Sequence, residues 1–206
     1  MPVYTTTREG VEKWRWRFAV GQLRTAYKAA RSSIDDDLRR VAVEHQRFCD
    51  APEPDPEDYS EEESHRAWED HLIDRHWEAH NALAAIKQAF ALILYHSWEQ
   101  HSAKWAGWTG HYRYHQVRPR LVKAGYVVAE GVNKLNDVAN CIKHDSDELW
   151  KRKDCRRMFE PIVAEMVAEN IEPDYSNHLI LTDADMDEFF DALIESGHPG
   201  PPTPGF

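Results

Sequence analysis

The sequence is poor in glycine, in cysteine and in long apolar runs, and each scarcity excludes a class of protein. Only nine of its 206 residues are Gly, too few for a turn-rich all-β fold or a nucleotide-binding α/β fold. Its three cysteines are far apart and form no Cys-x-x-Cys pair, which argues against a disulfide framework and predicts a reducing cytosol. The longest apolar run, residues 89–95, is far shorter than the roughly 20 residues of a membrane span.

The first ten residues contain no apolar stretch of the kind that a signal peptide has. We therefore expect a cytoplasmic protein with no membrane partner. Leu, Ile, Val and Phe number only 41, which brings the chain close to the composition of disordered proteins. Eight Trp and eight Tyr supply the missing apolar area, so a packed core is expected.

Charge is distributed unevenly along the chain. The net charge of −11 combines −10 over residues 50–78 and −10 over 161–206 with +4 over 1–49 and +5 over 79–144. The acidic segments fit a solvated surface that aids solubility. The alternative is that the basic middle faces a polyanion, or that the acidic tail covers it.

Apolar residues recur at steps of three and four over two long segments. The first predicts a helix at 7–49 and the second a helix at 60–106. Three prolines at 51–59 predict a loop between them. Two long helices joined by a short loop form an antiparallel hairpin, here 7–106.

The rest of the chain predicts shorter elements: a helix from near Pro119 to Gly125, a helix at about 128–144, a charged helix at 147–158, an extended segment at 178–181 and a closing helix at 182–196. Thr182 and Asp185 have the spacing of a capping box for that last helix. The prediction is an all-α helical bundle forming one domain over 1–197, with at most one short extended segment. The Pro- and Gly-rich residues 198–206 are expected to be disordered.

The helix at about 128–144 carries a polar stripe beside its apolar face. Asn136, Asn140 and His144 are spaced by four residues, and Lys143 precedes His144. An imidazole, a cation and amides suit metal-free cleavage of a ribose–phosphate backbone. The alternative is a helix end at which Lys and His complement the dipole.

A second polar group lies on the second long helix. Tyr95 and Glu99 share a stripe at the margin of its apolar face, and His96 is adjacent. Glu99 can orient a histidine or bind a cation there. Alternatively, it is half exposed and pairs with a neighbouring Arg or Lys.

Eight histidines lie between His65 and His115, and His76 and His80 have the i, i+4 spacing of two metal ligands. A di-iron bundle needs Glu-x-x-His twice, and the sequence lacks it, so we predict no metal and no cofactor. The segment WRWRF (14–18) can stack bases and neutralise phosphates. We expect instead that Trp14 and Phe18, which share a helix face, pack in an amphipathic core.

Several segments resemble an uncharacterised group of bacterial helical proteins. They are LNDVANCIKHDSDELW (135–150) with CRRMF (155–159), LILYHSWEQH (92–101) and NHLILTDADMDEFFDAL (177–193), and they cover roughly residues 83–193. This group is similar in turn to HEPN domains, which are all-α bundles. The resemblance implies a HEPN-like fold, a homodimer and a part in a prokaryotic defence or toxin–antitoxin system.

Many HEPN proteins are metal-independent ribonucleases with the motif Arg-Asn-x-x-x-His, whose Arg binds the scissile phosphate. Asn140 and His144 match the Asn and His of that motif, whereas Ala139 stands at the Arg position. Lys143 replaces the Arg only if its side chain reaches the same place.

Two main hypotheses follow. In the first, the protein is a HEPN-like ribonuclease that binds RNA as a homodimer: His144 is the general acid or base, Lys143 steadies the phosphate, Asn140 orients the ribose or imidazole, and Glu99 positions His144. In the second, it is a non-catalytic HEPN-like module that pairs with a partner protein or nucleotide, as Ala139 favours. A third, a metal-binding bundle using the histidines, is opposed by the missing second pair of ligands.

Overall fold

The computed structural model describes residues 8–52, 59–109 and 114–197, and over these ranges the protein is all-α. Two long helices come first, α1 (Arg8–Cys49) and α2 (Tyr59–Trp105). They are followed by α3 (Tyr114–Lys123), α4 (Gly131–His144), α5 (Glu148–Lys151), a 3-10 helix (Lys153–Met158), α6 (Pro161–Ala168) and α7 (Asp183–Glu195). The predicted all-α fold with two long helices is confirmed. In the described part of the chain, no helix combines the length and apolar character needed to cross a membrane.

The chain forms two compact units. Unit 1 contains the described residues of 1–25 and 87–206, and unit 2 contains residues 26–86, so that α1 and α2 contribute to both. The single domain predicted for 1–197 stays a prediction. The tail predicted at 198–206 lies outside the described residues, as does most of the loop predicted at 51–59.

Unit 2 is an antiparallel pair of helical segments, as the sequence predicts. The ring of Phe48 near the end of α1 lies 4.3 Å from that of His65 near the start of α2. Farther along, Arg75 Nη1 lies 2.6 Å from Glu44 Oε2. Among its described residues, few side chains are buried: Tyr27, Val41, Leu72 and Ala79. Unit 2 therefore has a narrow apolar seam.

Unit 1 has a larger core, built around α4, α7 and an aromatic cluster. Trp16, at the start of α1, donates a hydrogen bond from Nε1 to the carbonyl of Leu193 on α7 (2.7 Å). Its ring also meets Trp105 of α2 edge-on, with centroids 5.4 Å apart. The expectation for Trp14 and Phe18 is wrong: they stack on each other with 63% and 54% of their surface exposed. They lie two residues from Trp16, which places them on the opposite side of α1.

The shorter elements differ from the predictions in their bounds. Pro119 lies inside α3 and not in its first turn. The site helix begins at Gly131 and not near 128, because Val127 is held extended by an antiparallel bridge to Gly197. The predicted helix at 147–158 is divided into α5 and the 3-10 helix by Arg152, whose ψ is 110°. Helix α6 was not predicted.

The closing segment of the chain matches its prediction. Leu179 forms an isolated antiparallel bridge with Phe159, which confirms a short extended segment before α7. Thr182 and Asp185 form the predicted capping box, each side chain bonding the backbone N–H of the other. The bridge and the cap together fix where α7 begins. They therefore also fix the positions of the acidic side chains in its first turn.

Candidate functional site

Helix α4 is positioned by its buried face and by the turn that ends it. Val132, Leu135 and Val138 are fully buried, as the apolar pattern predicts. After His144 the chain reverses at Asp145, whose φ of 52° and ψ of 38° are left-handed. The carboxylate of Asp145 accepts a hydrogen bond from the backbone N–H of Ser176 (2.7 Å). The last turn of α4, with its candidate residues, is therefore tied to the segment before α7.

The candidate residues lie at that last turn. Asn140 is half-buried, and Lys143 and His144 are exposed. The ammonium of Lys143 lies 5.2 Å from the centroid of the Tyr95 ring, a cation–π contact with α2. Tyr95 is buried, and its hydroxyl donates to Asn136 Oδ1 on α4 (2.7 Å). The structure thus joins two groups singled out in the sequence, through Tyr95.

Glu99 has a different partner from the one expected. Its Oε2 lies 3.0 Å from Nδ1 of His96, one turn away on the same helix. The role given to Glu99, positioning His144, therefore has no contact to support it in this structure. The imidazole of His144 remains exposed at the helix end.

Ala139 is fully buried. It stands where the sequence resemblance would place the phosphate-binding Arg of the HEPN motif. A guanidinium at this position would start inside the core and would be costly to bury without a partner. The position at which the motif has its Arg is therefore a buried one in this fold.

Sequence reasoning missed a polar chain beside the site. Asn136 Nδ2 donates to Asp137 Oδ1 (3.1 Å), and Arg152 Nη1 lies 3.4 Å from Asp137 Oδ2. Burial raises the pKa of Asp137, although Asn136 and Arg152 partly oppose the shift. Asp137 was visible in the sequence next to Asn136, but no periodic spacing connects it with Arg152. The guanidinium is engaged by a carboxylate, so it does not replace the missing motif Arg directly.

The opposite edge of α4 carries an ionic cluster centred on the buried Lys134 and Asp185. Lys134 Nζ lies 3.0 Å from Asp185 Oδ1 and 2.7 Å from Glu188 Oε2. Arg157 Nη2 also reaches Asp185 Oδ1, at 2.7 Å. Burial alone would raise the pKa of Asp185, but hydrogen bonds from Arg157, Thr182 and Lys134 hold it well below its usual value. This cluster joins α4 to α7 and stabilises the helix that carries the site.

The described residues contain no group of three or more His, Cys, Asp or Glu side chains that could hold a metal ion. The rings of His76 and His80, the pair with metal-ligand spacing, lie 4.4 Å apart in an edge-on contact. Cys49 is exposed, Cys141 and Cys155 are buried, and all three are free thiols.

Comparison with known proteins gives no family assignment. No family model matches the chain, and no curated protein or solved structure is significantly similar to it.

Proposed function

We propose that the protein is a non-catalytic, HEPN-like binding module of a prokaryotic defence or toxin system. The observation that carries this proposal is the complete burial of Ala139 at the position of the catalytic Arg. The HEPN-like character itself rests on the sequence resemblance. Burial of Ala139 favours binding over cleavage because no phosphate-binding guanidinium can be supplied from this position.

The end of α4 suits an anionic ligand such as the phosphate of a nucleotide or of RNA. Lys143 and His144 present a cation and a titratable imidazole to solvent. The contact with the Tyr95 ring holds the ammonium of Lys143 near the helix end. A half-buried amide, Asn140, lies one turn earlier on the same stripe. Charge-assisted hydrogen bonds from such donors to phosphate are stronger than neutral ones.

Cleavage would require more than this arrangement supplies. A general acid or base acts efficiently when a further group orients it. Glu99, the candidate for that role, is engaged by His96 at 3.0 Å. A binding function therefore explains the exposed Lys143 and His144 without requiring the orienting group and the guanidinium that a nuclease would need.

The test is a binding and cleavage assay on a labelled single-stranded RNA in EDTA. We expect the full chain to bind the RNA and leave it intact, and Lys143→Ala to weaken binding about tenfold, or about 1.4 kcal/mol. The matched control is Lys151→Ala, which removes an exposed lysine that is already paired with Glu148 at 2.8 Å.

Two results would change this proposal. Cleavage by the wild type that His144→Ala abolishes without loss of thermal stability would restore the ribonuclease hypothesis. Binding that is equally strong in Lys143→Ala and in the control would remove the end of α4 as the binding site.

A homodimer is part of the same proposal, since the resemblance implies one. Light scattering of the purified chain should then give twice the 24.0 kDa mass of one copy. A mass of one copy at micromolar concentration would contradict it.

A further inference from the structure

A long segment of unit 1 contains no acidic residue, although the chain has 36 of them. The segment lies between Glu99 and Glu130. It contains five basic residues: Lys104, Arg113, Arg118, Arg120 and Lys123. In a protein with a net charge of −11, attraction for an anion has to come from such a local concentration of cations.

Helix α3 presents two of these cations in a fixed orientation. Val117 and Leu121 are buried and hold one side of α3 against the core. The hydroxyl of Tyr114 donates to Asn133 Oδ1 on α4 (2.6 Å), which anchors the first turn. Arg120 and Lys123 are three residues apart on the exposed side, so they are neighbours on the helix surface.

An aromatic ring lies beside these cations. Trp108 follows α2 through Gly107, whose φ of +61° turns the chain, and its backbone N–H bonds the carbonyl of Ala103 (2.9 Å). The guanidinium carbon of Arg120 lies 4.0 Å from the centroid of the Trp108 ring. Lys104 is exposed in the last turn of α2, four residues before Trp108. This cation–π pair of Arg120 and Trp108 is the stacking platform of the surface.

These cations are not neutralised locally. Among the described residues, no ion pair involves Lys104, Arg120 or Lys123, whereas Arg118 on the same helix lies 3.6 Å from Glu130. Some exposed arginines elsewhere are paired with acids one turn away, as Arg39 is with Asp36 at 2.8 Å. Without such a partner, the cations of this surface keep their charge available for an anion.

We propose that the surface formed by Lys104, Trp108, Arg120 and Lys123 binds single-stranded nucleic acid. The lysines contact phosphates, and an unpaired base stacks on the platform of Trp108 and Arg120. A duplex does not offer the faces of its bases, and an acidic peptide gains little from the platform. Proteins that bind single strands combine these two features, a cationic track and aromatic stacking. This inference does not depend on the site at the end of α4.

The experiment is a titration of the full chain into labelled oligouridine and oligothymidine, followed by fluorescence anisotropy at several salt concentrations. Contacts of the two lysines to phosphates predict that affinity falls about sevenfold from about 50 mM to about 200 mM salt. We expect Lys104→Ala/Lys123→Ala to weaken binding about tenfold and to flatten the logarithmic salt slope by about 1.4. The two oligonucleotides distinguish RNA from DNA as the better ligand.

The matched control is Lys28→Ala/Lys153→Ala, which removes two exposed lysines from other surfaces. It should bind as the wild type does. Stacking is tested separately: the ligand should quench tryptophan emission in the wild type and quench it less in Trp108→Phe. Circular dichroism of each variant confirms that the helices remain folded.

Equal binding by the two double variants would overturn the proposal, as would equally tight binding of a blunt duplex. Equal quenching in the wild type and in Trp108→Phe would show that no base stacks on the platform. Lys143→Ala, measured in the same titration, separates this surface from the end of α4. If Lys143→Ala loses binding and Lys104→Ala/Lys123→Ala does not, the result would support the proposed function and contradict this inference.

Discussion

The two units differ in whether their ion pairs join residues of one helix or residues of separate elements. In unit 2 most of them join side chains one helical turn apart and are exposed, as Arg40 and Asp37 are. In unit 1 most of them join separate elements: Lys134 of α4 meets Asp185 of α7, and Lys87 of α2 meets Asp183. Local pairs support each helix by itself, whereas most pairs of unit 1 form only when its elements come together. Unit 1 is therefore stabilised by tertiary contacts, and unit 2 depends more on its individual helices.

The largest effect expected from this difference concerns equal changes in the two cores. Leu135→Ala in unit 1 should lower the free energy of unfolding by about 4 kcal/mol, because fully buried leucines leave a cavity in a closely packed core. Leu72→Ala in the narrow seam of unit 2 should cost about 2 kcal/mol, since the seam can collapse around the smaller side chain. Urea denaturation measures both values, and equal losses would contradict the comparison.

The ionic cluster of Lys134 and Asp185 should give the next effect. Asp185→Asn should lower the free energy of unfolding by about 3 kcal/mol at neutral pH, because it leaves the buried ammonium of Lys134 less well compensated. Folding lowers the pKa of Asp185. Its contribution is therefore complete above about pH 5, and it is lost as the pH falls below about 3.9, the value of an unfolded Asp.

Denaturation of wild type and Asp185→Asn at neutral and acid pH checks this sign. The two proteins should differ at neutral pH and converge in acid. A difference that stays constant would show that the carboxylate does not titrate with folding.

A pair of glycines tests how closely unit 1 is packed. A Cβ at Gly131 would lie 2.7 Å from Cβ of Ala192, so Gly131→Ala should cost about 2 kcal/mol as α4 and α7 separate. At Gly21 in α1 nothing lies within 4 Å of the added atom. Gly21→Ala should instead stabilise the protein by about 0.5–1 kcal/mol through helix propensity. Thermal unfolding distinguishes the opposite signs.

The smallest effect should come from the exposed pairs of unit 2. Arg66→Ala removes an i, i+4 pair with Glu62 and should change the free energy of unfolding by about 0.3–0.5 kcal/mol. The same change in high salt should have almost no effect, because salt screens exposed charges. A loss above about 1 kcal/mol would show that this unit relies on its surface pairs more than its geometry indicates.

The fold was largely predictable because its signal is periodic. The steps of three and four that contain Val41 and Leu72 give both long helices, and the Thr182–Asp185 spacing gives the cap of α7. Patterns of this kind depend only on residues that are close together in the sequence. The break at Arg152 and the start of α4 were not predictable, because they depend on contacts such as the bridge between Val127 and Gly197, seventy residues apart.

The candidate site was predicted in part. The stripe of Asn140 and His144 follows from helical spacing, and the structure places it at the end of α4 as expected. The partner of Glu99 could not be chosen from the sequence, since His96 and His144 were both available. The contact of Lys143 with Tyr95 depends on how α2 and α4 pack, which one helix pattern does not contain.

The hydrogen bond from Trp16 to the carbonyl of Leu193 has a consequence for the order of assembly in time. The two residues are 177 positions apart. A ribosome adds roughly 5–20 residues per second, so Trp16 waits about 10–35 s for its acceptor to be synthesised. Residues 26–86, which form unit 2, emerge during that wait and have all their own contacts at hand. We therefore expect unit 2 to fold while the aromatic residues near the start of α1 are still exposed, and unit 1 to close last, after α7 has been synthesised.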